Sequence, residues 1–211
     1  MKAPMRHHLP HAAPNETIGL LGGSFDPPHE GHLHISEEAL KRFNLDRIWW
    51  LVTPGNPLKS RGPAPLDHRL DACEKLLQHP RIEATDFERH SGTRYTAQTL
   101  QALFKTYPRT RFIWLMGADN LADFHRWDSW KWIMENVPVG VLARPGQRTA
   151  ARISPAAKRF EFARISGKES HRLAHADSPA WCFINVPMSK ASSTAIRATG
   201  AWKGGAGTQS G

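Results

Sequence analysis

Short apolar runs alternating with stretches of helical periodicity constrain what this chain can fold into more than any other feature. Thr17 to Leu21, Ile48 to Val52, Arg111 to Met116, Val137 to Ala143 and Trp181 to Val186 each have the length and composition of a strand buried on both sides. Between them the period changes. From His32 onward Ile35, Ala39, Leu40 and Phe43 recur at helical spacing, with Glu37, Glu38, Lys41 and Arg42 on the other side and Asn44 ending the pattern. Leu66, Leu70, Cys73 and Leu77 form a second stripe, and further helices are expected from about Thr96 to Phe104 and around Trp127 to Met134, with a strand near Ile82. Strand-helix alternation of this kind implies an α/β fold: one Rossmann-like, doubly wound, mainly parallel sheet with helices on both faces.

The chain length of 211 residues suits one domain. Residues 1–16, with Pro4, Pro10 and Pro14 and no periodicity, read as a mobile lead-in, and residues 17–200 as the domain. Arg144 to Ala180 is basic and rich in Ala, Ser and Pro, with Phe160, Phe162 and Ile165 as its apolar anchors. It reads as an irregular surface insertion centred on about 146–180. Residues 201–211 are Gly-rich and read as a flexible tail.

Composition narrows the classes of function. Cys73 and Cys182 are far apart and form no C-x-x-C pair, so neither a disulfide framework nor a zinc ribbon is indicated, and a reducing cytoplasm fits. No apolar run approaches the roughly 20 residues of a membrane span, and Met1 to Pro14 lacks the apolar core of a signal peptide. A formal charge of +9 suits polyanionic partners: nucleic acid, acidic lipid or phosphorylated small molecules.

Chemistry concentrates in Gly22-Gly-Ser-Phe-Asp-Pro-Pro-His-Glu-Gly-His32, between the first strand and its helix. In an open parallel sheet, ligands bind at such a junction. Paired glycines let the backbone approach a phosphate closely, and the helix start offers N–H groups and a dipole that favours anions. The segment is not the dinucleotide fingerprint, because Ser24 and Phe25 follow the glycines, and Gly55 to Ser60 is no Walker A loop, because Leu58 stands where glycine is required. His29 and His32, three residues apart at the helix entrance, can turn both rings to one spot over the turn. An isolated H-x-x-H is more often without function; its place after Gly22 to Pro27 reverses that weighting. A zinc site needs three or four ligands, and no matching set appears downstream, so no protein-held metal is expected.

The segment from Gly22 to His32 resembles the G-G-[ST]-F-D-P-x-H-x-G-H signature of the nucleotidyltransferase superfamily, and Ser192-Ser-Thr-Ala-Ile-Arg197 resembles its late I-S-S-T-x-I-R motif. Within that superfamily the sequence is similar to the bacterial nicotinate-nucleotide adenylyltransferase family. Pro57-Leu-Lys59, Tyr95-Thr96 with Thr99-Leu100, Gly117-Ala-Asp119 with Trp127 and Trp130, and Arg144-Pro-Gly146 also match, so the resemblance spans about residues 17 to 200. Relative to the family pattern, the sequence ends soon after the late motif and carries the long basic stretch from Gly146 to Ala180.

The resemblance implies transfer of AMP from ATP, with Mg²⁺, to nicotinate mononucleotide in NAD biosynthesis. It implies that His29 and His32 contact the ATP phosphates, His32 at the α-phosphate, and that Lys59 and Arg197 add positive charge. ATP would also be bound by Gly22, Gly23, Ser24, Phe25, Gly31, Gly117, Asp119, Ser192, Ser193 and Thr194. Thr93, Tyr95, Trp127 and Asp128 would line the acceptor pocket, with the Trp127 indole stacked on the electron-poor pyridine ring. Without the resemblance, Ser192 to Thr194 reads as a helix cap, Asp119 as another, Lys59 as a surface charge and Trp127 as a core or surface residue. The acceptor's phosphate is already ionised at neutral pH, so positioning and charge stabilisation suffice for catalysis. Neither nucleic acid nor a membrane is an expected partner, and the sequence sets no oligomeric state. The rival readings are a pantetheine-phosphate adenylyltransferase, a cytidylyltransferase for a phosphorylated alcohol, and, outside enzymes, a basic module for single-stranded nucleic acid.

Overall fold

Adjacent tryptophans show how the sheet is buried. Trp49 and Trp50 are both fully inaccessible, yet they belong to different apolar layers, because successive side chains of a strand leave opposite faces of the sheet. A strand that must bury both neighbours needs cover on both sides. The computed structural model describes residues 9–55, 62–143, 148–187, 193–200 and 202.

Among the described residues seven strands form one sheet: β1 Thr17–Gly23, β2 Arg47–Val52, β3 Ile82–Thr85, β4 Arg111–Gly117, β5 Val139–Ala143, β6 Arg164–Ile165 and β7 Trp181–Asn185. Their order is β3-β2-β1-β4-β5-β7-β6, and every neighbouring pair is parallel. The helices are α1 Glu30–Arg42, α2 Leu66–Leu76, α3 Phe87–Ser91, α4 Thr96–Thr106, α5 Ala118–Asp123, α6 Trp130–Asn136, α7 Arg148–Arg152, α8 Pro155–Arg159 and α9 Ser193–Ala198. One layer packs Ile18, Leu20, Trp114 and Val141 against Leu100 and Leu103 of α4 and Ile133 of α6. The other packs Leu21, Trp50, Leu115 and Ile184 against Leu40 of α1 and Leu70 of α2. The α/β class, the parallel sheet and the two helical layers agree with the sequence reading.

Several local expectations are corrected. The stretch from 146 to 180, expected to be an irregular surface insertion, carries from residue 148 onward α7, α8, the strand β6 and two short 3-10 pieces within Gly167–His175 that meet at a kink at Glu169. Ala151, Ala156, Ala157, Phe160, Leu173 and Ala174 are buried, Trp181 Nε1 donates to Phe160 O at 2.7 Å, and Arg111 Nε donates to Ala174 O at 3.2 Å. Small residues hide the pattern, because alanine lets backbone pack closely while adding little to any apolar stripe. Residues 9–16, expected within the mobile lead-in, lie against the body: Tyr107 Oη donates to Pro10 O at 2.8 Å, and Asn15 N to Arg109 O at 2.7 Å. The sixth helix begins at Trp130 rather than near Trp127, after a 3-10 turn at Phe124–Arg126 and the positive φ of 52° at Ser129. Residues 1–8 of the lead-in and 203–211 of the tail lie outside the described residues.

Candidate active site

Strand order reverses direction at β1. The chain proceeds outward from β1 to β2 and β3, then returns to place β4 on its other side. Because neighbouring strands are parallel, Gly22–Gly23, Thr53, Thr85 and Gly117 end at one edge of the sheet, and the chain leaves β1 and β4 there toward helices on opposite faces, the kind of switch point at which open parallel sheets bind ligands.

Gly22 sits at that edge because a side chain would not fit. A Cβ there would lie 2.5 Å from Cη2 of Trp114 on the neighbouring strand. The chain then turns through Phe25, whose positive φ of 46° is costly for an aromatic residue and is held by packing. Its ring is buried, stacks on Trp50 at 4.7 Å between centroids, and lies 4.9 Å from the ring of His32. Trp50 Nε1 donates to Ser36 Oγ at 2.8 Å, and Ser36 Oγ donates to His32 O at 2.9 Å. Core packing thus reaches the site histidines through ring contacts and a short hydrogen-bonded chain.

The two histidines start the helix that follows this turn. His29 is the N-cap of α1, with extended backbone, and its Nδ1 accepts the Gly31 N–H at 3.0 Å. His32, at the third helical position, accepts the His29 N–H on its own Nδ1 at 3.3 Å. This is a reciprocal capping box built from imidazoles instead of Ser and Glu. Since each Nδ1 is an acceptor, the ring proton of each is on Nε2. The rings lie 3.9 Å apart between centroids, 32° from coplanar, and His29 is buried. Capping therefore fixes both the tautomer and the side of the ring that carries a donor. His34 has its Nε2 3.2 Å from Pro187 O.

A residue that sequence reasoning missed lies beneath this turn. Arg69 of α2 is completely inaccessible. Its Nε donates to Ala64 O at 2.7 Å, one terminal nitrogen donates to Ser24 O at 2.7 Å and Thr53 O at 2.8 Å, and the other donates to Pro54 O at 3.2 Å. Burial lowers its pKa, and the charge of Asp26 opposes that effect. Hydrogen bonds to a charged group contribute about 1.5–3 kcal/mol each, so four of them offset a desolvation cost of several kcal/mol.

The late motif meets the first one. Ser193 Oγ donates to Pro27 O at 2.9 Å, the Arg197 guanidinium donates to Asp26 O, and its other terminal nitrogen lies 3.2 Å from Thr194 Oγ1. Beyond it, in the stretch expected to be a flexible tail, Trp202 stacks on His68 at 4.4 Å and its Nε1 donates to Asp26 Oδ1 at 2.7 Å. Nothing in a glycine-rich composition signals that anchor.

Thr93 and Tyr95, expected to line the acceptor pocket, connect α3 to α4. Thr93 Oγ1 is 2.8 Å from Ser91 Oγ and 3.0 Å from Thr99 Oγ1, and Tyr95 is the N-cap of α4 with 40 % of its surface exposed. Thr99 Oγ1 donates to Glu88 Oε1 at 3.2 Å. Glu88, also unmarked in the sequence, is buried, and burial raises its pKa against the opposing hydrogen bonds from Thr53 and Thr99. Across β4, Gly117 ends the strand and Asp119 lies exposed in the first turn of α5. Trp127 is half-buried, edge-on to Phe124 at 5.1 Å and to Trp114 at 6.3 Å, and Asp128 is exposed and accepts from Ser129 Oγ at 2.9 Å. Lys59 and Ser192, and the landmarks Pro57-Leu-Lys59 and Arg144-Pro-Gly146, lie outside the described residues.

Among the described residues no three His, Cys, Asp or Glu side chains are grouped to hold a metal ion. A surface depression lined by Asn44, Ile165, His171, Arg172, His175 and Ala176 lies toward the opposite, amino-terminal edge of the sheet and contains none of the motif residues.

Comparison with known proteins agrees with this layout. The family described as cytidylyltransferase-like matches residues 20–199. A protein of Ruegeria pomeroyi described as a probable nicotinate-nucleotide adenylyltransferase is 59% identical over 211 residues, covering 97% of this chain and 99% of that one. One of Agrobacterium fabrum with the same description is 50% identical over 182 residues, covering 86% and 97%. Among solved structures, the nicotinic acid mononucleotide adenylyltransferase of Plasmodium falciparum complexed with NaAD shares the fold, with TM-score 0.67, 19% identity, and coverage of 87% of this chain and 83% of that one.

Proposed function

Because the chain belongs to the cytidylyltransferase-like family, and within it to the nicotinate-nucleotide adenylyltransferases, we propose that it transfers the adenylyl group of ATP to nicotinate mononucleotide. The acceptor's phosphate oxygen attacks the α-phosphorus of ATP, the bond between the α-phosphorus and its bridging oxygen breaks, and pyrophosphate leaves with that oxygen. The product is deamido-NAD. The attacking oxygen is already anionic, so the protein's work is to align two phosphates and stabilise charge in the transition state.

The observation that carries this reading is the docking of the late motif on the first, through Ser193 and Pro27 and through Arg197 and Asp26. It joins a cationic guanidinium to the turn that leads into two imidazoles, each with its proton on Nε2. His32 donates to the α-phosphate as charge develops; His29, Ser193, Thr194 and Arg197 hold the departing pyrophosphate, with Lys59 and Ser192. Backbone N–H groups of Ser24 and Phe25 add donors, and Gly22, Gly23 and Gly31 allow close approach. Gly117 and Asp119 take the nucleoside side. Trp127 stacks on the pyridine, with Thr93, Tyr95 and Asp128 around the rest of the acceptor.

Mg²⁺ arrives with ATP as part of the substrate, a mode that suits an ion that keeps its waters and prefers phosphate oxygens to an all-protein cage. The two free, buried cysteines support a cytoplasmic setting.

The test is direct. Purified protein with Mg²⁺, ATP and nicotinate mononucleotide releases pyrophosphate and forms the dinucleotide, with nicotinamide mononucleotide and phosphopantetheine assayed beside it. Turnover with phosphopantetheine alone would reject the proposed acceptor.

A further inference from the structure

Arg69 forms none of the contacts expected of an arginine in the first turn of a surface helix. It is wholly buried, and its guanidinium donates to four backbone carbonyls: Ser24 in the turn after β1, Thr53 and Pro54 after β2, and Ala64 before α2. One planar group therefore ties together the two loops that leave neighbouring strands at the candidate site. Thr53 N adds a bond to Gly23 O at 3.1 Å, so the loops are joined from both directions.

The bond to Ser24 O has a directional consequence. A trans peptide is planar, and its carbonyl and its N–H point opposite ways. The Ser24–Phe25 peptide is not among the cis bonds of the chain. Holding Ser24 O against Arg69 therefore turns the Phe25 N–H away from the guanidinium, toward the side of the turn opposite α2. The same logic at Pro54 O turns the Gly55 N–H outward from the clamp. Phe25 has a positive φ, so its peptide orientation needs an external restraint, and Arg69 supplies one while the Trp50 stack supplies another.

We propose that Arg69 is a positioning residue for ATP: by clamping the Ser24, Thr53 and Pro54 carbonyls it aims backbone N–H donors of the turn at the triphosphate. The inference rests on the proposed function for the identity of the ligand but concerns only the ATP half of the site. Lysine keeps the charge but presents one nitrogen, and it cannot span the same carbonyls in the geometry of a planar fork.

The experiment compares wild type with R69K and R69Q, in two readouts. Calorimetric binding of a non-hydrolysable ATP analogue needs no acceptor; steady-state kinetics then give KM for each substrate. Both folded variants should bind the analogue at least about tenfold more weakly, with KM for ATP raised similarly and KM for nicotinate mononucleotide changed less than about threefold. Unchanged ATP affinity in a folded variant, or equal changes for both substrates, overturns the proposal, since a purely structural arginine would lower Tm without separating the two. Should neither variant fold, wild-type hydrogen exchange decides: the analogue should slow exchange of amides in 23–26 and 53–55 together, and protection of the first segment alone overturns the clamp. A wild type that binds the analogue but fails to turn over nicotinate mononucleotide rejects the acceptor assignment and leaves the Arg69 comparison intact.

Discussion

The hydroxyl of Ser193 donates to the carbonyl of Pro27 at 2.9 Å, across 166 positions of sequence. That bond joins the last helix to the turn before the first one. A stretch that would otherwise read as a helix start near the end of a domain is brought against the turn that precedes the two histidines. Removing it should be felt by ATP more than by the fold. Ser193→Ala is expected to raise KM for ATP by about fivefold, the equivalent of one neutral hydrogen bond, with Tm nearly unchanged; steady-state kinetics and a thermal melt check both, and an unaltered KM would detach this hydroxyl from the site.

His32 serves two functions that substitution can separate. His32→Ala removes both the cap on the His29 N–H and the Nε2 donor, so turnover should fall at least about 100-fold and stability by about 1 kcal/mol. His32→Asn keeps a short capping acceptor and should recover much of the stability and none of the turnover. Near-normal rates in either variant would remove His32 from charge stabilisation.

Trp127 is edge-on to Phe124 and Trp114, which fixes the plane of its indole. Trp127→Ala should raise KM for nicotinate mononucleotide by about tenfold or more while KM for ATP moves less than about threefold. Equal changes for the two substrates would make Trp127 a packing residue.

Glu88 gives a pH signature. Burial raises its folded-state pKa above the ordinary value of 4.5. Its protonated form therefore fits the fold better, and the associated stability is complete at pH below 4.5 and is lost as pH rises through the raised value. Glu88→Gln, which stays neutral, should match wild type in acid and exceed it increasingly as pH rises, until the difference levels off. Urea unfolding across the pH range tests this, and parallel curves for the two proteins would contradict it.

The thiols should be inert in the folded protein. Burial pushes the pKa of Cys73 up to about 12 and that of Cys182 up to about 11. A thiol reagent at pH 8 is expected to label neither cysteine until denaturant is added, and rapid labelling of the native protein would contradict that burial.

What was legible in the sequence follows from the kind of signal each residue carries. Strands such as Ile48 to Val52 announce themselves by unbroken apolarity, which only a sheet covered on both faces accommodates. The paired glycines and the H-x-x-H after them are placed by the sequence at the junction of strand and helix, as found. Arg69 and Glu88 were not legible. Each is a charged residue in a helix otherwise patterned for the surface, and its burial depends on carbonyls and hydroxyls brought together from other segments. Ala151, Ala156 and Ala157 were missed for the converse reason: their burial depends on backbone proximity, which leaves little trace in hydropathy. His29 was read for its side chain alone, whereas its role as N-cap appears once the backbone of the first turn is traced.

The two borders of the sheet are its shortest members, four residues in β3 and two in β6. Each gives the sheet only a brief outer edge. A strand from another molecule that tried to extend the sheet would gain few ladder bonds before running past the end, so lateral growth into aggregates is discouraged by geometry rather than by charge.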